Sequence, residues 1–154
     1  MSTSTDQPAV QETLDRMDDG WSTFRDRVHG LPGEELERPL PGGVWTRKQM
    51  LAHIGTWHDL ALERLTRFME SGEPSEPPED EDVVNARTAR ASAGRTTGEI
   101  LLAMDDSYRR LRREVARLSD AQLAAHDDWA AAIIAGNTYG HYADHRDDLE
   151  SKPA

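Results

Sequence analysis

Apolar residues recur at intervals of three and four along four separate segments of this 154-residue chain. The interval matches the 3.6-residue turn of an α-helix, so each segment predicts a helix with one apolar face. In the first segment the stripe begins at Val10 and reaches Leu31 without a miss. The chain is therefore predicted to be all-α, with four main helices whose stripes face a shared core.

Local start and stop signals define the ends of these helices. Thr46 to Gln49 and Thr96 to Glu99 have the pattern of capping boxes, in which the first and fourth side chains bond each other's backbone N–H groups. Glycine and proline follow the first helix, and Gly72 follows the second. The predicted main helices cover about residues 8–30, 46–72, 96–118 and 129–151.

The connections between the helices differ in character. Residues 32–45 contain three prolines, and residues 72–82 are acidic and proline-rich, so the second connection is expected to be a mobile surface loop. A short helix is expected over about residues 83–93. Connections of this length allow parallel neighbours joined by long crossovers as well as a plain up-and-down bundle. Residues 1–154 are predicted to form a single domain.

Composition excludes several functions. The chain has no cysteine, which rules out disulfides, thiolate ligands and a cysteine nucleophile. Its net charge is −11, and no basic stripe interleaved with aromatic residues offsets this charge, so we expect no nucleic-acid partner and no anionic membrane. No signal peptide and no apolar run of about 20 residues is present, which indicates a cytoplasmic protein. The expected partner is a small-molecule substrate, and a homodimer is left open.

Two histidines occupy core positions in the stripe of the fourth helix. His141 and His145 are four residues apart, so their side chains lie on one helix face and can converge on one metal ion. Burying two imidazoles without partners costs free energy, and a shared cation would use both lone pairs. The alternative is a pair of ordinary surface histidines, because the whole chain is polar.

A third histidine favours the metal interpretation. His53 lies beside the seam of the second helix, between Met50 and Trp57. An imidazole from a facing helix would complete a set of three neutral nitrogen ligands. Such a set leaves coordination positions open and does not neutralise the ion, which favours a strong Lewis acid. The sequence therefore predicts a divalent metal between His53, His141 and His145.

Other polar residues near these histidines are weaker candidates. Asp148 is placed to accept the second ring N–H of His145, or else is simply solvated. His58 and Asp144 are predicted to point toward solvent, and Trp57 to be either a pocket wall or a core aromatic. Further candidates are two groups: possible hydrogen-bond donors to the site (Tyr108, Asn137, Tyr142) and cationic groups for the body of a cofactor (Arg47, Lys48, Arg146).

Two motifs make the chain resemble a known family. Leu51-Ala52-His53-Ile54-Gly55-Thr56-Trp57 follows a capped helix start, and Asn137-Thr138-Tyr139-Gly140-His141-Tyr142-Ala143-Asp144-His145 lies near the chain's end. Together they resemble the DinB/YfiT-like superfamily of four-helix bundles. The resemblance implies that His53, His141 and His145 are a metal triad, usually for zinc or nickel. It also implies kinship with transferases and isomerases that use bacillithiol, mycothiol or glutathione, and with members of no known activity.

The second motif is also similar to the ClbS/DfsB branch. Some members of that branch protect their host from a reactive metabolite, and some are thought to work without the metal triad. Two functions therefore stay open. One is a metal-dependent thiol transferase, isomerase or hydrolase acting on a small electrophile, with a low-molecular-weight thiol as a further cofactor. The other is a protein that binds or inactivates a reactive metabolite. No catalytic residue is assigned, because the sequence has no Ser-His-Asp arrangement and no phosphate loop.

Overall fold

The computed structural model of the chain describes residues 6–40 and 45–150. These residues form eight helices and no strand, and one isolated bridge joins Pro39 to Thr46. The predicted all-α fold is confirmed. The helices are α1 (Pro8–His29), α2 (Gly33–Leu36), α3 (Arg47–Ser71), α4 (Glu81–Ser92), α5 (Thr97–Val115), α6 (Asp120–Asn137), α7 (Tyr139–Asp144) and α8 (Arg146–Glu150).

The helix ends follow the local signals. Complete capping boxes begin α3 at Thr46, α5 at Thr96 and α6 at Ser119, and in each the third helical residue bonds back to the cap. Gly72 ends α3 in the left-handed conformation, with φ of 75°, which a glycine adopts at little cost. The residues between α3 and α4 are mostly exposed, as expected, and their mobility stays a prediction.

The four long helices α1, α3, α5 and α6 form the bundle. Within the bundle α3 packs against α5 and α6, and the shorter α4 also lies against it, whereas α1 packs against α5, α6 and α7. Asp120, at the start of α6, accepts the backbone N–H groups of Ala9 and Val10 in the first turn of α1. These two helices therefore start at the same end and run as parallel neighbours. The bundle is consequently not up-and-down: α3 and α5 run parallel, with His58 against Ser107 and Thr66 against Glu114, and the long connection through α4 joins them.

The predicted continuous fourth helix is wrong. Thr138 (φ −126°, ψ −109°) separates α6 from α7, and α7 ends at Asp144. The non-helical residues 125–128 lie just before the predicted start at Trp129 and agree with it. At the bend of Thr138 the backbone of Gly140 lies so close to α6 that a Cβ would sit 2.7 Å from the carbonyl oxygen of Ala135. Helical register nevertheless continues from His141 to His145, since the backbone N–H of His145 donates to the carbonyl of His141 at 3.2 Å.

None of the helices within residues 6–40 and 45–150 is long and apolar enough to cross a bilayer.

Candidate metal centre

The bundle brings the three predicted histidines together. His53 comes from α3, His141 from α7, and His145 directly follows α7. One ring nitrogen from each lies within 4.8 Å of the others, and the Nε2 atoms of His53 and His141 are 2.9 Å apart. His53 is buried, and the other two are half-buried. The cluster is therefore compact and open on one side.

Asn85 orients the imidazole of His53. Its Oδ1 lies 2.9 Å from His53 Nδ1 and accepts the indole N–H of Trp57 at 3.2 Å. The indole N–H of Trp57 also lies 2.8 Å from His53 Nδ1. With its proton on Nδ1, His53 donates to Asn85 and turns the lone pair of Nε2 toward the other histidines; in the other tautomer Nδ1 accepts from Trp57. Sequence reasoning missed Asn85, because a single asparagine on the short helix α4 carries no spacing signal that links it to α3.

Asp148 orients His145 in the same way. Its Oδ2 lies 2.8 Å from His145 Nδ1, which confirms the predicted contact and leaves Nε2 of His145 free of this bond. The backbone carbonyl of Asp148 in turn accepts the Nε–H of buried Arg47 at 2.8 Å. The buried side chain of Arg47, on α3, therefore fixes the backbone of the segment that holds this carboxylate.

Burial and neighbouring histidines keep two imidazoles of the cluster neutral. Burial, followed by the neighbouring His145, lowers the pKa of His53 to about 4. Burial and then the other histidines lower the pKa of His141 to about 3. A neutral imidazole is the form that binds a metal, so these two ligands are in the binding form at pH 7.

The donor set fits a divalent cation of the zinc or nickel type. The Nε2 atoms of His53 and His141 share one hydrogen bond at 2.9 Å, and His141 Nδ1 is buried without a hydrogen bond among the described residues. Whichever nitrogen of His141 carries the proton, one buried nitrogen is unsatisfied, which costs free energy. A cation held by the inward-facing nitrogens would take up one lone pair from each ring, and three imidazoles suit zinc, copper or nickel.

A cavity of about 440 Å³ opens onto the three histidines. This volume lies within the range of small-molecule sites. Two tryptophans and two asparagines provide flat and polar walls, and two exposed carboxylates add negative charge. No lysine or arginine is among the described residues that line it. Besides the histidines, its lining consists of Trp45, Trp57, Glu81, Asn85, Gly136, Asn137 and Asp144.

The cationic residues proposed for a cofactor's body lie elsewhere. Arg47 is buried against Asp148, and Lys48 donates to the carbonyl of Arg95 at 2.8 Å. Arg146 lines a different cleft, beside Phe24 and Tyr139. The expectation that these three groups face the metal pocket is therefore wrong, because their helix faces point to the bundle interior or to α1.

Several polar residues also differ from their predicted roles. His58 is fully buried rather than solvated. Tyr142 bonds to His58, and Tyr108 bonds to Asp18, so neither hydroxyl faces the cluster. Asp144 is exposed, as expected, but it lines the pocket. Asn137 also lines the pocket, while its Nδ2 donates to the carbonyl of Ile133.

Fold and site together define a helical-bundle protein with a candidate three-histidine metal centre open to a small-molecule pocket. The sequence profile of the DinB superfamily matches residues 16–147. The chain belongs to the DinB superfamily.

Two solved structures share the fold. A crystal structure of the colibactin self-resistance protein ClbS in complex with double-stranded DNA superimposes with a TM-score of 0.77 at 14% identity, covering 92% of this chain and 93% of that one. An uncharacterized protein from Clostridium difficile 630 gives a TM-score of 0.75, also at 14% identity and with the same coverage. At this identity the likeness shows the fold alone. No curated protein matches the chain.

The exclusion of nucleic acid from net charge is wrong. ClbS, which has the same fold, is found in complex with double-stranded DNA. Net charge is a sum over the whole surface, whereas contact with a duplex depends on the local arrangement of charge on one face. A total of −11 therefore does not exclude a DNA partner.

Proposed function

We propose that the chain is a divalent-metal-dependent protein whose ion, zinc or nickel, is held by His53, His141 and His145. The observation that carries this proposal is the convergence of three ring nitrogens within 4.8 Å of one another. It is supported by Asn85 and Asp148, because each bonds the outer nitrogen of one ligand in the arrangement typical of metal-binding histidines.

A divalent ion bound by three neutral imidazoles supplies Lewis acidity at an open coordination position. The residues of the chain then bind and orient the substrate. Trp45 and Trp57 offer flat apolar surfaces on the pocket wall, and the amide of Asn137 offers hydrogen-bonding groups beside them. The substrate suited to this wall is a small, flat electrophile with polar substituents.

The charge of the pocket favours a neutral or cationic substrate. Glu81 and Asp144 line it, and no described lysine or arginine does. The ion would attract the thiolate sulfur itself, but the anionic body of such a thiol would meet two carboxylates without a compensating side chain, which disfavours its binding. Of the reactions that the family suggests, hydrolysis of a small electrophile is therefore proposed ahead of transfer to an anionic thiol.

The second candidate is a protective role, in which the chain binds or inactivates a reactive metabolite with or without metal. It is supported by the shared fold of ClbS, a self-resistance protein that has been crystallised with DNA. The two candidates differ in their need for metal and in whether duplex DNA is a partner.

Metal content and turnover test the proposal together. Purified protein should carry, or take up at micromolar levels, about one zinc or nickel ion, and His141→Ala should lose it. The matched control is His126→Ala, because His126 is exposed and outside the cluster. A parent protein that takes up neither ion, nor manganese, would refute the site.

The substrate class is tested with the metal-loaded protein. Neutral and cationic esters or epoxides should be turned over faster than anionic ones of similar size. A chelator should abolish the turnover. Faster reaction of the anionic series, or a strict need for an added thiol, would contradict the hydrolytic proposal. If protein whose metal has been removed by a chelator still protects DNA from an electrophile, the second candidate is favoured.

A further inference from the structure

We propose that His58 and Tyr142 form a buried anchor that positions α7 and thereby sets the metal affinity of the three-histidine centre. This inference rests on the proposed metal site. The anchor ties α3 to α7, which are the two helices that contribute His53 and His141.

The hydrogen bonds of His58 define a single orientation of its ring. Its Nδ1 lies 2.8 Å from the hydroxyl of Ser107, which itself donates to the carbonyl of Met104 at 2.8 Å. Ser107 therefore accepts the Nδ1–H of His58. His58 Nε2 is left as an acceptor for the hydroxyl of Tyr142, at 2.6 Å. The chain of bonds runs from α7 through α3 to α5 in one direction.

His58 keeps this arrangement at physiological pH. Its side chain is fully buried, and burial, followed by the charge of Arg110, lowers its pKa to about 3. The ring is therefore neutral, so Nε2 retains the lone pair that accepts the tyrosine proton.

Helix α7 needs such an anchor because it has little stability of its own. It is six residues long and has no side-chain cap, and a helix so short is not stable in isolation. It is entered through the non-helical backbone of Thr138. Its buried residue is Tyr142, whose ring stacks on Phe24 at a centroid distance of 5.1 Å.

Tyr142 lies between the proposed ligands His141 and His145, so its anchor controls where they lie. It directly follows His141 and precedes His145 by three residues, so a shift of its side chain moves both ligands relative to His53. Metal sites require their ligands to be held within about 0.5 Å of the productive geometry. Groups that orient ligands typically change metal affinity about 10–100-fold when removed.

Tyr142→Phe tests the anchor, and Tyr108→Phe is its matched control. Both tyrosines are 4% exposed and lie against Trp21, and both donate one side-chain hydrogen bond. The hydroxyl of Tyr108 bonds Asp18 on α1 instead of His58. The two substitutions therefore remove the same atom from the same aromatic cluster, but only one breaks the tie to α7.

The measurements are the affinity for Zn²⁺ and Co²⁺ and the visible spectrum of the Co²⁺-loaded protein, at a temperature well below the unfolding transition of each variant. Tyr142→Phe should weaken binding about 10–100-fold and alter the spectrum. Tyr108→Phe should leave both at the parent's values, even if its melting temperature falls equally. His58→Gln, which keeps an acceptor for Tyr142, should retain more affinity than His58→Leu.

Each outcome decides between the anchor and the site. Tight binding by the parent and an unchanged affinity of Tyr142→Phe would overturn the anchor alone. Equal losses in the two tyrosine variants would also overturn it, since the effect would then follow stability. Absence of binding by the parent would overturn the metal centre and the anchor together. If Tyr142→Phe does not fold, Ser107→Ala makes the same decision, because it frees the far end of the His58 ring.

Discussion

Acidification from pH 7 to pH 5 should destabilise the metal-free protein by several kcal/mol. Three histidines, His53, His58 and His141, have folded-state pKa values lowered to between about 3 and about 4 by burial. In the unfolded chain their pKa is about 6.5. Between these values the unfolded state binds protons that the folded state does not, so stability is complete above about pH 6.5 and is lost as the pH falls through it.

The size of the effect follows from the same pKa values. At pH 5 an unfolded histidine is almost fully protonated, and each group that remains neutral in the folded state costs about 2 kcal/mol relative to pH 7. Three such groups give at most about 6 kcal/mol, which is comparable with the whole stability of a small domain. Ordinary carboxylates titrate below this window, which leaves the histidines as its main titrating groups.

Urea unfolding at pH 7.0, 6.0 and 5.0 in the presence of a chelator measures this loss. His58→Gln isolates one contribution, because glutamine does not titrate, and its unfolding free energy should fall by about 2 kcal/mol less between pH 7 and pH 5 than that of the parent. His126→Gln replaces an exposed histidine and should fall as the parent does. A parent whose stability is flat across this range would refute the assignment of neutral buried imidazoles. An unchanged slope in His58→Gln would refute it for that residue.

Two further changes have matched controls. Asp148→Ala should weaken metal binding about 10–100-fold in competition with a chromogenic chelator, because the ring of His145 loses the acceptor that orients it. Glu70→Ala, on the exposed end of α3, should leave binding unchanged. Equal effects of the two substitutions would contradict the orienting role of Asp148. Gly140→Ala should lower the unfolding free energy by about 1–3 kcal/mol, because its Cβ would meet the carbonyl of Ala135. A Cβ at Gly136 would have nothing within 4 Å, so Gly136→Ala should be neutral or stabilising. Thermal unfolding of both variants and the parent measures the difference.

The main helices could be predicted because their signals are local. Capping boxes and apolar periodicity act within one helix, and the starts predicted at Thr46 and Thr96 agree with the structure. The break at Thr138 could not be predicted, since the sequence around it continues the helical stripe. It depends on the close passage of Gly140 over the end of α6, which is a contact between two elements.

One position on the buried face of α3 differs from the predicted stripe by one residue. The sequence favoured Ile54, Trp57 and Ala61 as the seam, because tryptophan is more apolar than histidine. In the structure His58 is fully buried and Trp57 is half-buried beside the metal cluster. Both 57 and 58 satisfy the three-and-four spacing from 54 to 61, so periodicity alone cannot choose between them. His58 rather than Trp57 is fully buried because Ser107 and Tyr142 hydrogen-bond its ring, which offsets the cost of burying an imidazole.

The buried histidines can be separated by how their nitrogens are satisfied. His58 bonds with both ring nitrogens to neighbours in the chain, so its burial is fully accounted for by the fold. His141 has its Nδ1 buried without a bond among the described residues, while its Nε2 shares a hydrogen bond with the Nε2 of His53 at 2.9 Å. A fold that needed only burial at these positions would gain from an apolar residue, because an unsatisfied polar atom costs free energy. The unsatisfied nitrogen of His141 therefore favours the proposal that the cluster holds a ligand.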